Sequence, residues 1–91
     1  MAAVRIILSA PLDQLAGRIV EIDGSGNVGR VMEALCRQIA ELRPKIKDDS
    51  GKLYSFVNVY LNGEDIRHLK GIKTPVRNGD EILMVPAIAG G

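Results

Sequence analysis

One stretch of helical periodicity dominates this chain of 91 residues. From Asn27 onward, apolar side chains recur at the three- and four-residue spacing of one helix face: Val28, Val31, Met32, Leu35, Ile39 and Leu42. Asn27 is the predicted N-cap, with Ser25 as a competing candidate. The helix is predicted to end near Arg43, because Pro44 disfavours helical geometry at the residue before it. A single helix of this kind packs on a sheet in a small domain, so the remaining sequence must supply strands.

The other apolar runs have the alternation or the β-branched content of strands. They are residues 3–9, 18–22, 56–61 and 81–85, with room for a short edge strand near Ile66. The first two runs predict an antiparallel hairpin, and Asn62-Gly63 predicts a tight turn after the third. Residues 45–52 are charged and predict a surface loop. The predicted architecture is α+β, a mixed sheet of four to five strands packed on one main helix.

Size and composition exclude several functional classes. With 46% hydrophobic and 25% charged residues, the chain is expected to fold as one domain, with little structure to spare for an elaborate catalytic pocket. A formal net charge of +1 and three aromatic residues leave neither the positive field nor the stacking surfaces of nucleic-acid binding. The apolar start is interrupted by Arg5 and is too short for a signal peptide or a membrane span. We expect no nucleic-acid or membrane partner.

Two motifs suggest chemistry that the rest of the chain does not support. Residues 24–29 read Gly-Ser-Gly-Asn-Val-Gly and match the dinucleotide-binding pattern between a predicted strand and a predicted helix. The chain is too short for the βαβ units that such a domain needs, so we interpret the glycines as a flexible strand-to-helix corner. Cys36 and His68 would need a shared cleft and an orienting group to form a nucleophile. We interpret Cys36 as a core residue and His68 as a surface residue.

The lone cysteine and a basic segment suggest where the protein acts and what it meets. Cys36 cannot form an internal disulfide or a cysteine zinc site, which favours a reducing compartment, and we expect a cytoplasmic protein without a metal site. Residues 66–79 carry His68 and four cationic side chains but no acid; these are Arg67, Lys70, Lys73 and Arg77. The segment is either solvated surface or a region that steers an acidic partner.

The last five residues have no charged side chains and read Ala87-Ile88-Ala89-Gly90-Gly91. Fully extended, such a segment reaches roughly 16 to 18 Å, far enough to enter the active site of another protein. Because glycine has no Cβ, Gly90 and Gly91 suit a narrow channel that leads a carboxylate to a nucleotide phosphate. A frayed terminus is the simpler alternative. We therefore divide the chain into a folded domain, residues 1–86, and a flexible reactive tail, residues 87–91.

Several motifs together carry a resemblance to a known family. They are the strand and turn from Phe56 to Gly63, the run Asn78-Gly79-Asp80-Glu81-Ile82, and Val85-Pro86 followed by the tail. In this order they resemble the ubiquitin-fold sulfur carriers, which include the small subunit of molybdopterin synthase, the thiamine sulfur carrier and a carrier in thiocarboxylate-dependent cysteine synthesis. The chain is most similar to the cysteine-pathway carrier at residues 51–53, 56–58, 64–67 and 86–91. Molybdopterin-synthase subunits more often have a doubled proline where this chain has only Pro86.

The resemblance implies a β-grasp fold and a carrier rather than an enzyme. A ubiquitin-activating-type enzyme would adenylate the Gly91 carboxylate with ATP, and a sulfur donor would displace AMP to leave a thiocarboxylate. That thioacid would deliver sulfur to an acceptor synthase that makes cysteine or another thio-metabolite. The implied partners are these two enzymes. The chain itself would bind no cofactor, because ATP is used by the activating enzyme.

Strand alternation defines an outer face of the predicted sheet. If the odd-numbered residues of 57–61 and the even-numbered residues of 82–84 pack on the helix, their neighbours point outward. The expected apolar patch on that face is Phe56, Tyr60, Leu83 and Val85. A patch of this kind beside the tail is typical of a protein-binding surface, and we predict that Arg67, Lys70 and Lys73 contribute to it. An inverted register would move the patch to the opposite residues.

Two further functions stay open. A ubiquitin-like modifier would use the same activated carboxylate to join Gly91 to lysines of other proteins. A structural or inhibitory β-grasp module would have an inert tail, and its ending would then be coincidental.

Overall fold

The computed structural model describes residues 3–10, 12–23 and 26–86. In this part of the chain the strands are β1 (Ala3–Leu8), β2 (Ile19–Asp23), β3 (Gly26–Asn27), β4 (Val57–Leu61), β5 (Glu64–Asp65), β6 (Pro75–Val76) and β7 (Glu81–Pro86). The α-helices are α1 (Asp13–Ala16), α2 (Val28–Gln38) and α3 (Arg43–Ile46). Short 3₁₀ helices span Ala40–Leu42, Ile66–His68 and Gly71–Lys73. The element types confirm the predicted α+β architecture.

A mixed five-stranded sheet, in the order β2-β1-β7-β4-β5, forms one layer of the domain. The first two strands pair antiparallel, as predicted for a hairpin. β7 lies at the centre of the sheet, parallel to β1 and antiparallel to β4. The short strand predicted near Ile66 is β5, which pairs with the end of β4. A separate ladder joins β3 to β6 beside the start of α2.

The core lies between the sheet and α2. Helix residues at positions i, i+3, i+4, i+7 and i+8 are buried: Val28, Val31, Met32, Leu35 and Cys36. They pack with the inward side chains of the sheet, among which Ile6, Ile82 and Met84 have no accessible surface. Burying one aliphatic side chain of this size contributes roughly 1.5 to 3 kcal/mol, so this interface accounts for most of the hydrophobic stabilisation.

Helix α2 begins where the sequence predicts and ends earlier. The Asn27 side chain accepts a hydrogen bond from the Arg30 backbone N–H at 2.9 Å, which confirms Asn27 as the N-cap. The predicted end near Arg43 is wrong, because α2 ends at Gln38 and Ile39 leaves helical geometry with φ −129° and ψ 88°. The chain continues as a 3₁₀ turn that brings Leu42, the last residue of the predicted apolar face, into the core.

Pro44 lies in the first turn of a helix that begins at Arg43, and does not end one there. It occupies the first turn of α3, where a backbone N–H has no intrahelical partner and proline is therefore tolerated. The predicted surface loop over residues 45–52 is accordingly wrong at its start, since Ile46 belongs to α3 and is completely buried. Helix α1 was also not predicted; it lies within the turn between the first two strands.

The predicted tight turn after β4 is confirmed. Asn62 and Gly63 have positive φ angles of 50° and 88°, as a two-residue hairpin loop requires. The turn is tied to the start of β7, because Asn62 Oδ1 accepts a hydrogen bond from the Glu81 backbone N–H at 3.0 Å. Asn62 Nδ2 also donates to Asp80 Oδ1 at 3.1 Å.

Within residues 3–10, 12–23 and 26–86, none of the helices is both long enough and apolar enough to cross a bilayer.

Candidate functional site

The last described strand leads directly to the predicted tail. β7 pairs along both of its edges, with β1 on one side and β4 on the other, and Pro86 lies opposite Val57. The segment that follows Pro86 therefore starts from the central strand of the sheet. The predicted tail residues Ala87, Ile88, Ala89, Gly90 and Gly91 lie outside the described residues.

The predicted strand parity is confirmed on both strands beside the tail. Val57, Val59 and Leu61 are buried on the helix side. Tyr60 and Leu83 are half-buried on the outer face and lie directly opposite each other. The other outward position of β7 is Val85, which is half-buried and lies opposite Asn58. The structure thus places three of the four predicted patch residues side by side, while their role in binding stays a prediction.

Phe56, the fourth residue of the predicted patch, lies just before β4 rather than within it. Its side chain is 37% exposed. Its ring stacks on Tyr54, with the ring centroids 4.8 Å apart and the planes inclined by 16°. Tyr54 in turn packs against the hydrophobic core. An aromatic pair of this geometry is favourable, so Phe56 is held at the end of the sheet from which the tail departs.

The apolar surface extends further across the sheet than the sequence analysis predicted. Strand pairing places Tyr60 opposite Leu83, Leu83 beside Ile7, and Ile7 opposite Ile19. We call these four residues the outer apolar row. Ile19 is 56% exposed, the largest exposed fraction among the large hydrophobic side chains of the described residues. Ile7 and Ile19 belong to the predicted strands 3–9 and 18–22, but the sequence did not indicate that the first of these strands lies beside β7.

The cationic side chains of the basic segment, residues 66–79, differ in whether they form ion pairs. Lys70 and Lys73 are exposed, and neither forms an ion pair with a described residue. Arg67 instead forms an ion pair with Asp65, with Nη2 2.8 Å from Oδ2. Asp65 lies one residue before the acid-free segment 66–79, so this ion pair was not predicted from the sequence.

The Asp65 carboxylate is stabilised in its charged form. The hydrogen bond from the Arg67 side chain is the main cause, and the Arg67 backbone N–H adds to it, so that the pKa of Asp65 is lowered to about 2. The same pair raises the pKa of Arg67. Both groups are therefore charged throughout the physiological pH range.

Cys36 occupies the core, as predicted. Burial raises the pKa of its thiol, although Lys47 and Arg43 act in the opposite direction. A protonated, buried thiol is a poor nucleophile, so the side chain has a packing role. His68 is exposed at the end of a 3₁₀ helix. Among the described residues, no group of three or more His, Cys, Asp or Glu side chains is arranged to hold a metal ion.

The glycine-rich corner has a structural explanation where it is described. Gly26 has a φ of 100° and pairs with Val76 in the small ladder. Gly29 faces the 3₁₀ turn at residues 71–73, and a Cβ on it would lie 3.2 Å from the Ile72 carbonyl oxygen. Both positions therefore favour glycine for reasons of backbone geometry and packing. Gly24 and Ser25 lie outside the described residues.

Comparison with known proteins extends these observations. The sequence model described as the ThiS family matches residues 6–91. A protein of Archaeoglobus fulgidus described as a putative sulfur carrier protein is 35% identical over 91 residues, which cover 98% of this chain and 99% of that protein.

Two solved structures are similar over almost their whole length. The solution structure of small archaeal modifier protein 1 from Methanosarcina acetivorans has a TM-score of 0.90 and 30% sequence identity, covering 100% of this chain and 98% of that chain. A chain of the BexX/CysO complex from Amycolatopsis orientalis has a TM-score of 0.82 and 29% identity, covering 97% of this chain and 99% of that chain. The fold is the ubiquitin-like β-grasp.

The family match includes the predicted tail, and the β-grasp domain ends at the base of that tail. This chain therefore belongs to the ThiS family of ubiquitin-fold sulfur carriers, and its relatives include proteins described as sulfur carriers and as small modifiers.

Proposed function

We propose that the protein carries sulfur as a thiocarboxylate on Gly91. The family match through Gly91 is the observation that carries this proposal. The similarity to a putative sulfur carrier protein over 99% of that protein's length supports it further. In this account the β-grasp domain is a docking module, and the reacting group is the carboxylate at the end of the tail.

The chemistry requires activation because a carboxylate is a poor electrophile. The Gly91 carboxylate oxygen attacks the α-phosphorus of ATP, forming the acyl adenylate and expelling pyrophosphate. Hydrosulfide supplied by a sulfur donor then attacks the acyl carbon, and the C–S bond forms as the bond to AMP breaks. The resulting thiocarboxylate is a nucleophile that can transfer its sulfur to an acceptor. The described residues need to supply no acid, base or metal for these steps, since the partner enzymes supply them.

Two partners follow from this chemistry. An adenylating enzyme of the ubiquitin-activating type makes the acyl adenylate, and an acceptor synthase takes the sulfur to make cysteine or another thio-metabolite. The similarity to a chain of the BexX/CysO complex supports a carrier that docks on other proteins. The unpaired Cys36 supports the reducing cytoplasm as the compartment in which this chemistry occurs.

The outer face of the sheet is the docking surface that we propose for these partners. Tyr60, Leu83 and Val85 form a half-buried apolar surface next to the base of the tail, and Phe56 borders it. Apolar side chains grouped on an exposed face mark protein-binding sites more often than chance exposure does. Docking through this face keeps the helix side of the domain free and directs the tail into the partner.

A second candidate function is protein modification through Gly91. It is favoured by the similarity, with a TM-score of 0.90, to a protein described as small archaeal modifier protein 1. The acyl adenylate would be common to both functions. Only the nucleophile that attacks it would differ: sulfur from a donor in one case and a lysine of another protein in the other.

An ATP–pyrophosphate exchange assay with the adenylating enzyme of the same organism tests the activation step. We expect exchange with the wild-type chain and none after deletion of Gly91. The matched variant Gly91→Ala keeps the carboxylate but adds a Cβ, and we expect it to slow exchange without abolishing it. Undiminished exchange after deletion of Gly91 would contradict both the carrier and the modifier.

A further inference from the structure

Arg67 is fixed on the outer face of the sheet by two neighbouring side chains. Its Nε lies 3.1 Å from Asp65 Oδ1, and its Nη2 lies 2.8 Å from Asp65 Oδ2. The same Nη2 donates to Asn58 Oδ1 at 2.7 Å. Asp65 is itself held in place, because its Oδ1 accepts a hydrogen bond from the Arg67 backbone N–H at 2.9 Å and caps the 3₁₀ helix Ile66–His68.

The pair presents its positive member to solvent. The Arg67 side chain is 62% exposed, whereas the Asp65 side chain is 14% exposed. Nη1 of Arg67 makes no hydrogen bond to any of the described residues, so its two N–H groups remain to donate to a partner. An approaching protein therefore meets the guanidinium first, with the carboxylate behind it.

The position of the guanidinium links it to the proposed docking surface. Asn58 lies on the outer face opposite Val85, one residue before the end of β7. Arg67 also forms one wall of a cleft of about 240 Å³ that extends from the outer face to the inward-facing Val57 and Val59 of β4. A partner side chain that reaches Arg67 would meet this cleft at the first half of β4, where Val57 lies opposite Pro86.

We propose that Arg67 is a specificity-determining residue that binds a carboxylate side chain of the adenylating enzyme, and that Asp65 and Asn58 position it for this purpose. The inference rests on the proposed function. Exposed ion pairs contribute little in part because both side chains must be ordered when they form. Arg67 is already ordered, which removes much of that cost, and its Nη1 can donate a charge-assisted hydrogen bond to a carboxylate oxygen. No described side chain pairs with the ammonium group of Lys70 or Lys73, so these residues provide long-range attraction without a fixed geometry.

Steady-state kinetics of pyrophosphate release by the adenylating enzyme tests the inference. For Arg67→Ala we expect the KM for the carrier to rise about tenfold, with kcat and the KM for ATP unchanged. Arg67→Lys keeps the charge but not the guanidinium, whose several N–H groups bind Asp65 and Asn58 while Nη1 stays available, so its KM should stay closer to that of Arg67→Ala than to wild type. Asp65→Asn keeps the shape of the positioning residue and should raise the KM about threefold, although Arg67 is intact.

Arg5→Ala is the matched control. Arg5 is also exposed and paired, with Nη1 3.7 Å from Glu81 Oε2, but Glu81 begins β7 whereas the tail follows its other end. We expect no change in the KM of this variant. The thermal unfolding midpoint of each variant must lie well above the assay temperature, so that a changed KM reports docking and not unfolding.

Each remaining outcome is decisive. A KM that Arg67→Ala leaves unchanged, or that Arg67→Lys restores to the wild-type value, would overturn the inference about Arg67. Wild-type turnover would in that case leave the proposed function intact. A raised KM for ATP would assign the guanidinium to a nucleotide phosphate and would also overturn it. A wild-type chain that the enzyme neither binds in calorimetry nor adenylates would overturn the inference and the proposed function together.

Discussion

Tyr60 and Leu83 lie directly opposite each other on β4 and β7, and both side chains point away from the core. This pair joins the strand that precedes the tight turn to the strand that leads to the tail. Because Leu83 lies on the strand that ends at Pro86, three residues before it, any protein that covers this pair also lies close to the base of the tail. The pair is therefore the centre of the proposed docking surface.

Truncation of Leu83 should separate docking from folding. For Leu83→Ala we expect the carrier KM of the adenylating enzyme to rise at least about tenfold, because a central apolar anchor is lost. We expect the free energy of unfolding to fall by about 1 kcal/mol or less, because Leu83 is only half-buried. Kinetics and urea unfolding measure the two effects. Met84→Ala, on the buried side of the same strand, should instead lower stability by about 2 to 5 kcal/mol.

Ile19 tests how far the docking surface extends. Its side chain is 56% exposed at the far end of the outer apolar row, so Ile19→Ser should change stability by no more than about 0.5 kcal/mol. If the partner covers the whole row, the variant should weaken binding severalfold in calorimetry with the adenylating enzyme. Wild-type affinity in this variant would restrict the surface to β4 and β7.

Gly29 tests the contact between α2 and the 3₁₀ turn at residues 71–73. A valine at this position would place its Cβ 3.2 Å from the Ile72 carbonyl oxygen and add two further methyl groups there. We expect Gly29→Val to lower the free energy of unfolding by about 1 to 3 kcal/mol, as overpacking does. Gln38→Val places the same side chain at an exposed position of α2 and should cost far less. Equal losses in urea unfolding would show that the contact does not restrict position 29.

The Asp65–Arg67 pair should make stability depend on pH in the acid range. The pKa of Asp65 is about 2 in the folded protein and about 3.9 in an unfolded chain, so the unfolded state binds the proton first as pH falls. The stabilisation is complete above about pH 4 and is lost as pH falls through 2. Asp65→Asn should lack this contribution. Carboxyl NMR titration measures the pKa directly, and an ordinary value would contradict the pairing.

The sequence predicted local features well because their causes are local. The cap at Asn27, the apolar face of α2, the turn at Asn62 and the parity of β4 and β7 each depend on a few neighbouring residues. The end of α2 was predicted wrongly because proline allows two outcomes. A proline can end the helix before it, or it can lie in the first turn of the next helix. Tertiary packing of Leu42 and Ile46 decides between these two outcomes.

Features that depend on the order of the strands could not be predicted in the same way. Ile7 and Ile19 join the outer apolar row only because β1 lies beside β7, more than seventy residues later in the chain. The contact from Arg67 to Asn58 likewise depends on the path of the 3₁₀ helix over β4. The alternation of each strand was visible in the sequence, but the identity of the neighbouring strand was not.

Intact-mass measurement of the protein isolated from its native cells tests the central claim most directly. The account predicts a species heavier than the encoded chain by the replacement of one oxygen by sulfur, with the change located at Gly91 by fragmentation. A protein found only with an unmodified Gly91 carboxylate, or only with Gly91 joined to lysines of other proteins, would contradict it.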